Sequence, residues 1–238
     1  MLPARGVSDA LHIRYRFDLP DGSQKHLGLS FDPKNFRLSN AAPAEPPFWT
    51  ELKFSQCANC PLSAAEHAHC PAALQMAPAV ESLKELVSFD TVRVTVKQAE
   101  RTVYAETSAQ QALSSVLGLI MATAGCPWTD RLRPMARFHL PFASEAETVY
   151  RSVCMFLLAR HLRGADDAEG FAKLQGLYEN LHVVNRDMSR RLGAATRTDP
   201  ARNAMALLDS YTTLLPAALE SSLEDLKPLF DAWRGSAI

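Results

Sequence analysis

Val92-Arg-Val-Thr-Val-Lys97 alternates apolar and polar residues, and Val103-Tyr-Ala-Glu-Thr107 is expected to pair back on it as a second hairpin arm. Ser108-Ala-Gln-Gln111 follows at once, and beyond it Leu113, Val116, Leu117, Ile120, Met121 and Ala124 recur at steps of three and four. That change of period at Thr107 decides the fold class: alternate residues share one face of a strand, whereas residues three and four apart share one face of a helix. Ser108 to Gln111 has the pattern of a capping box, which starts a helix where the strand ends.

Working back from Thr107, Leu11 to Leu19 alternates in the same way, Asp21-Gly22 supplies a hairpin turn, and Leu27, Leu29 and Phe31 resume the period of two. The prolines between Ala41 and Pro47 mark a loop, Trp49 to Phe54 is a further candidate strand, and a short helix is expected over Ala79 to Val87. Working forward, Gly125 stands where a helix C-terminus favours positive φ. Ser144-Glu-Ala-Glu147 opens a helix whose Val149 to Ala159 stretch is apolar nearly all round, which predicts a central position. Phe171, Leu174, Leu177, Tyr178, Leu181, Val184 and Met188 form the next stripe. Asp199-Pro200 opens another with Met205, Leu208, Tyr211 and Leu215, and Leu219, Leu223, Leu226, Phe230 and Trp233 close the chain. The expected architecture is α+β. An N-terminal antiparallel sheet with a short helix (1–107) packs on a C-terminal helical bundle of about five helices (108–238), the two forming one integrated unit.

The chain has 238 residues, 47% of them hydrophobic and 21% charged, enough to bury a core without disulfides. Lys plus Arg is 25 and Asp plus Glu is 26, a net charge of -1 that argues against a nucleic-acid or anionic-membrane surface. The longest apolar run, Val116 to Ala124, falls well short of the ~20 residues that cross a bilayer. The first residues, Met-Leu-Pro-Ala-Arg-Gly-Val-Ser-Asp, lack the basic head and apolar run of a secretory signal, so a cytoplasmic protein is expected. Glycine-rich nucleotide loops, the G-x-S-x-G elbow and the H-E-x-x-H helix are all missing from the sequence.

Five cysteines without an export signal favour thiolate chemistry over structural disulfides. Three fall in one stretch, Cys57-Ala-Asn-Cys60-Pro-Leu-Ser-Ala-Ala-Glu-His67-Ala-His69-Cys70-Pro71. The two residues between Cys57 and Cys60 let both sulfurs turn toward one centre, and thiolates hold soft metals, so a metal site is expected here. A redox-active pair is the weaker reading, because no thioredoxin-like βαβ pattern surrounds it. Two residues compete as fourth ligand. His67 would close a tetrahedral zinc site within the loop, and Cys126, on a loop after the Gly125 helix stop, would bridge the two halves. His69, adjacent to Cys70, is the poorer local candidate. Cys60, Cys70 and Cys126 each precede a proline, as ligand cysteines of iron–sulfur loops do. This favours Cys126 and a [4Fe-4S] cluster on Cys57, Cys60, Cys70 and Cys126, with zinc on the same ligands as the alternative. Cys154, among Val153, Met155 and Phe156, reads as an inert core thiol.

Cys57-x-x-Cys60-Pro-Leu, His69-Cys70-Pro-Ala-Ala73, the run from Gly118 into Gly125-Cys126-Pro127, and Arg133-Pro-Met-Ala-Arg-Phe-His-Leu-Pro-Phe142 together resemble an uncharacterised bacterial family, a domain of unknown function without an assigned activity. The resemblance extends from about the first strand to Phe230 and implies a single unit of bacterial origin; it assigns neither a substrate nor a catalytic residue.

Other residues carry weaker signals. Arg133, Arg137 and His139 could grip an anion beside the metal, against the simpler reading of a solvated connector paired with Asp130, Glu145 and Glu147. Arg186, Arg190, Arg191 and Arg197 make a basic helix end that suits the helix dipole. Glu179 and His182 have di-iron spacing but lack the second motif such a site needs. Three functions follow as expectations: an iron–sulfur protein of electron transfer or redox sensing with a redox partner, a structural-zinc interaction or scaffold protein, and a metalloenzyme with an open position beside Arg133, Arg137 and His139.

Overall fold

The computed structural model describes residues 11–164, 171–195 and 199–233. Four strands, β1 (Leu11–Asp18), β2 (Gln24–Phe31), β3 (Thr91–Lys97) and β4 (Thr102–Ser108), form one antiparallel sheet in the order β2-β1-β3-β4. The β1–β2 hairpin turns at Gly22, whose φ of 81° suits a residue without Cβ. β3 then lies on the other side of β1, with Tyr15 opposite Val96 and Phe17 opposite Val94. The alternation predicted from sequence is the alternation observed: Ile13, Tyr15, Phe17, Val92, Val94 and Val96 are buried on one face.

The helices are α1 (Pro71–Ser82), α2 (Ala109–Met121), the short α3 (Arg133–Arg137), α4 (Glu145–His161), α5 (Ala172–Ala195) and α6 (Pro200–Leu226). Ser108 caps α2 by accepting from the backbone N–H of Gln111. Ser144 and Glu147 complete a reciprocal capping box on α4. α2 is the hub, with Ala112, Leu113, Val116, Leu117, Ile120 and Met121 all buried between the sheet side and α6. Gly118 lets α6 come close, since a Cβ there would stand 3.2 Å from Leu208 Cδ2. One continuous core joins strand residues such as Phe17 and Val94 to Met76 of α1, Met188 of α5 and Met205 of α6. A smaller cluster of Val149, Val153, Leu174, Tyr178 and Leu181 ties α4 to α5. No helix among the described residues is long and apolar enough to cross a membrane.

Several expectations are corrected. Trp49 to Phe54 is not a strand: Phe48–Thr50 is a single tight helical turn, and only Glu51 pairs, with His69. The carbonyls a strand would give to a neighbour are taken by Arg191 instead. The helix expected over Ala79 to Val87 begins earlier, at Pro71, and ends at Ser82. Proline fits a first turn, and the face buried there includes Ala72, Ala73, Ala77 and Ala79, small residues that leave a weak periodic signal. α4 is peripheral: Leu157, Leu158 and Tyr150 are exposed, and so is Cys154, which is not a core thiol. The last two predicted stripes belong to one helix, α6, which then tightens into the turns of Lys227–Trp233.

Candidate metal centre

The backbone from Trp49 to Cys70 has little regular structure of its own, so its polar groups must find partners elsewhere. Much of that satisfaction comes from α5. Arg191 projects from its C-terminal part and is only 1% exposed. Its Nη1 donates to the carbonyls of Trp49 and Glu51 at 2.6 Å each, and its Nη2 to those of Leu52 and Ser55 at 3.3 and 3.1 Å. The segment just before Cys57 is therefore wrapped around a guanidinium.

Next comes the C-x2-C turn, closed by a Cys60 N–H to Cys57 carbonyl bond of 3.0 Å. Both intervening residues are fastened to α5: the Ala58 N–H donates to Asp187 Oδ2 at 2.9 Å, and Asn59 Nδ2 donates to the Asn180 carbonyl at 3.0 Å. The Asn59 carbonyl accepts from Trp128 Nε1 at 2.8 Å, which stitches the loop two residues after Cys126 to the C-x2-C turn. Gly125, with φ of 91°, reverses the chain after α2 and delivers Cys126 to that loop. Cys70 arrives by a third route. Its N–H donates to the Thr50 carbonyl at 2.8 Å, and it stands at the N-cap position of α1 without a side-chain capping hydrogen bond.

Cys57, Cys60 and Cys126 are half-buried and pack against the core that contains Cys70. Burial, followed by the neighbouring Cys70, Cys126, Asp187 and Cys60, pushes the Cys57 thiol up to about 12. Burial also raises the Cys70 thiol, opposed by the Ala73 N–H and by Arg191. The four thiols predicted as ligands thus share one electrostatic neighbourhood, with one buried cation. Arg191 Nε is buried without a hydrogen-bond partner, and the titratable groups acting on its guanidinium are the thiols of Cys70, Cys57 and Cys60. Thiols in this state bind soft cations in exchange for protons, because a cation supplies the charge their burial otherwise opposes. As they stand, no three His, Cys, Asp or Glu side chains among the described residues are grouped to hold a metal ion. A single zinc, with Zn–S bonds of about 2.3 Å, would need the sulfurs drawn together, whereas a cubane takes its ligands at its outer corners.

The remaining candidates disperse. His67 is exposed, and His69 is hydrogen-bonded through Nδ1 to Thr50 Oγ1 at 2.8 Å. Arg133 pairs with Asp130 at 3.3 Å, Arg137 lies over the rings of Phe36 and Phe138, and His139 is buried with its Nε2 2.5 Å from Tyr15 Oη. His182 pairs with Asp209 at 2.7 Å. Arg186 and Arg190 pair with Asp187, and Arg197 lies outside the described residues. Arg191 is the residue that reading the basic helix end as a surface feature misses. Its position, three after Met188 and seven after Val184, puts it on the apolar stripe and was the available signal.

Fold and site define an α+β protein whose sheet layer and helices share one core, with Cys70 in that core and Cys57, Cys60 and Cys126 packed against it. The chain belongs to the family described as Domain of unknown function (DUF6901), whose model matches residues 13–231. No curated protein and no solved structure matches it.

Proposed function

We propose that this protein is a metal-binding protein that carries an iron–sulfur cluster on Cys57, Cys60, Cys70 and Cys126 and serves electron transfer or redox sensing. The observation that carries the reading is that Cys57, Cys60 and Cys126 pack half-buried against the core that holds Cys70, with Arg191, whose buried Nε lacks an acceptor, in the electrostatic surroundings of Cys57, Cys60 and Cys70. A thiolate or a cluster sulfide is the acceptor that an orphaned N–H in this position would satisfy. Four cysteine ligands leave no open iron, so such a cluster would supply one-electron transfer rather than substrate chemistry. The chain's own contribution is to hold the sulfurs, exclude water and set the charge. Arg191 offsets the negative charge of the thiolates, the α1 N–H groups act on Cys70, and Asp187 fixes the C-x2-C turn through Ala58. The partner would then be a redox protein.

Metal and acid-labile sulfide analysis with a visible spectrum, on protein purified without oxygen, tests the proposal. Iron, sulfide and a brown chromophore bleached by dithionite support it. Zinc without sulfide or colour would replace the cluster with a structural staple on the same thiols, and neither metal would remove the site altogether.

A further inference from the structure

We propose that a second site, independent of the cysteines, binds a small organic carboxylate with an apolar body. A cavity of about 430 Å³ lies between α2, the connection from Thr129 to Phe142, and helices α4, α5 and α6. Its volume falls in the range of small-molecule sites. No cysteine among the described residues lines it. Its walls are mainly apolar, from residues such as Leu119, Met135, Phe142, Leu181 and Leu208, and it reaches the surface beside the exposed Gln111 and Ser144.

Arg151 is the single charged residue of the lining among the described residues. Its Nη2 is committed to the carbonyls of Met135 and Phe138, at 2.7 and 3.0 Å, which fixes the guanidinium plane. No carboxylate among the described residues pairs with it within 4.0 Å. Glu147, four residues earlier on the same helix, accepts from the Ser144 N–H at 2.8 Å and acts on Arg151 through space without pairing with it. Both Nη2 hydrogens are thus committed, and no acceptor among the described residues is bonded to Nε or Nη1, so the guanidinium offers a carboxylate its charge and a single N–H rather than a two-point fork.

The other polar groups add no competing charge. Tyr178 bonds Ser152 Oγ at 2.6 Å, and Ser152 in turn donates to the Thr148 carbonyl, so that pair is satisfied internally. His139 stays neutral, buried and next to the Arg151 charge. Tyr15 Oη bridges Ser115 Oγ and His139 Nε2 behind the wall. One fixed cation in the lining of a mainly apolar cavity selects a monoanion over a neutral or cationic molecule of the same shape.

The test is equilibrium binding of dodecanoate, dodecan-1-ol and dodecylammonium, each below its micelle concentration, to the full chain by calorimetry. Dodecanoate is expected to bind about tenfold more tightly than the alcohol, and the ammonium to bind least. Arg151→Gln should erase the preference for the acid while leaving alcohol binding intact. Thr148→Trp, which keeps the charge and fills the cavity, should weaken dodecanoate and dodecanol alike by about tenfold or more. Equal affinity for acid and alcohol, an unchanged ratio in Arg151→Gln, undiminished binding in Thr148→Trp, or no binding at all overturns the proposal. If Arg151→Gln does not fold, the wild-type acid-to-alcohol ratio and Thr148→Trp decide. Cys57→Ala, which removes a proposed metal ligand, should leave dodecanoate affinity unchanged, so failure of the metal centre and failure of this site are told apart.

Discussion

Replacing Arg191 with Met removes four hydrogen bonds from the segment between Trp49 and Ser55, although it conserves much of the buried side-chain volume. The bonds to the Trp49 and Leu52 carbonyls are buried, and each carbonyl left unsatisfied costs about 1–2 kcal/mol. The Glu51 and Ser55 carbonyls are part-buried and recover water, so they add little. Releasing a guanidinium that burial disfavours offsets part of the loss. The net expectation is about 3 kcal/mol, or roughly 6–12 °C in Tm for a chain of this size. Arg191→Lys keeps the charge but reaches fewer carbonyls, and should lose about half as much. Arg190→Met is the control: its side chain is 68% exposed, its pairing with Asp187 is at 3.4 Å, and its loss should stay within about 0.5 kcal/mol. The assay is urea unfolding of chelator-treated protein, followed by tryptophan fluorescence, since Trp49 and Trp128 both sit on the affected loops. Unfolding midpoints for Arg191→Met and Arg190→Met that coincide would refute the idea that Arg191 organises the loop.

Other consequences concern different elements. His139 is held down at about 3 by burial and by Arg151, against an unfolded value of about 6.5. Its contribution to stability is complete above about pH 6.5 and is lost as pH falls toward 3, because the unfolded chain takes up a proton that the folded one refuses. His139→Gln, which cannot titrate but can still pair with Tyr15, should flatten stability against pH between 6.5 and 4 by up to about 1.4 kcal/mol per pH unit, measured as urea midpoints relative to wild type. Ser144→Ala opens the α4 capping box and should cost about 1 kcal/mol by the same assay. Leu158→Glu, at a position 58% exposed, should change stability by no more than about 0.5 kcal/mol. Val149→Ala, at 1% exposed, should lose about 2 kcal/mol, and equal losses at the two sites would mean that α4 is central after all.

The elements legible in the sequence are those fixed locally. Strand alternation, the Asp21-Gly22 turn, the Ser108 and Ser144 caps and the Gly125 helix stop each depend on a few neighbouring residues, and all stand where the pattern places them. The illegible parts depend on what lies across the fold. Val149 to Ala159 looked central because composition does not say whether a neighbour covers the second face, and here Leu157 and Leu158 face solvent. Trp49 to Phe54 looked like a strand because nothing local announces an arginine about 140 residues away that takes its carbonyls. The Tyr15–His139 contact spans 124 residues, and the cavity draws on several elements at once. The cysteines lie between these cases: the spacing of Cys57, Cys60 and Cys70 marked them as a group, but the Trp128–Asn59 bond that brings in the Cys126 loop could not be read from spacing.

The most direct test of the central claim is metal and sulfide content per chain in wild type, Cys126→Ala, His67→Ala and Cys154→Ala, all purified without oxygen. The account predicts about four iron and four sulfide per chain in wild type, His67→Ala and Cys154→Ala, and loss of most of both in Cys126→Ala. Metal retained in Cys126→Ala, or lost in His67→Ala, would contradict a centre that joins the C-x2-C loop to the loop after α2.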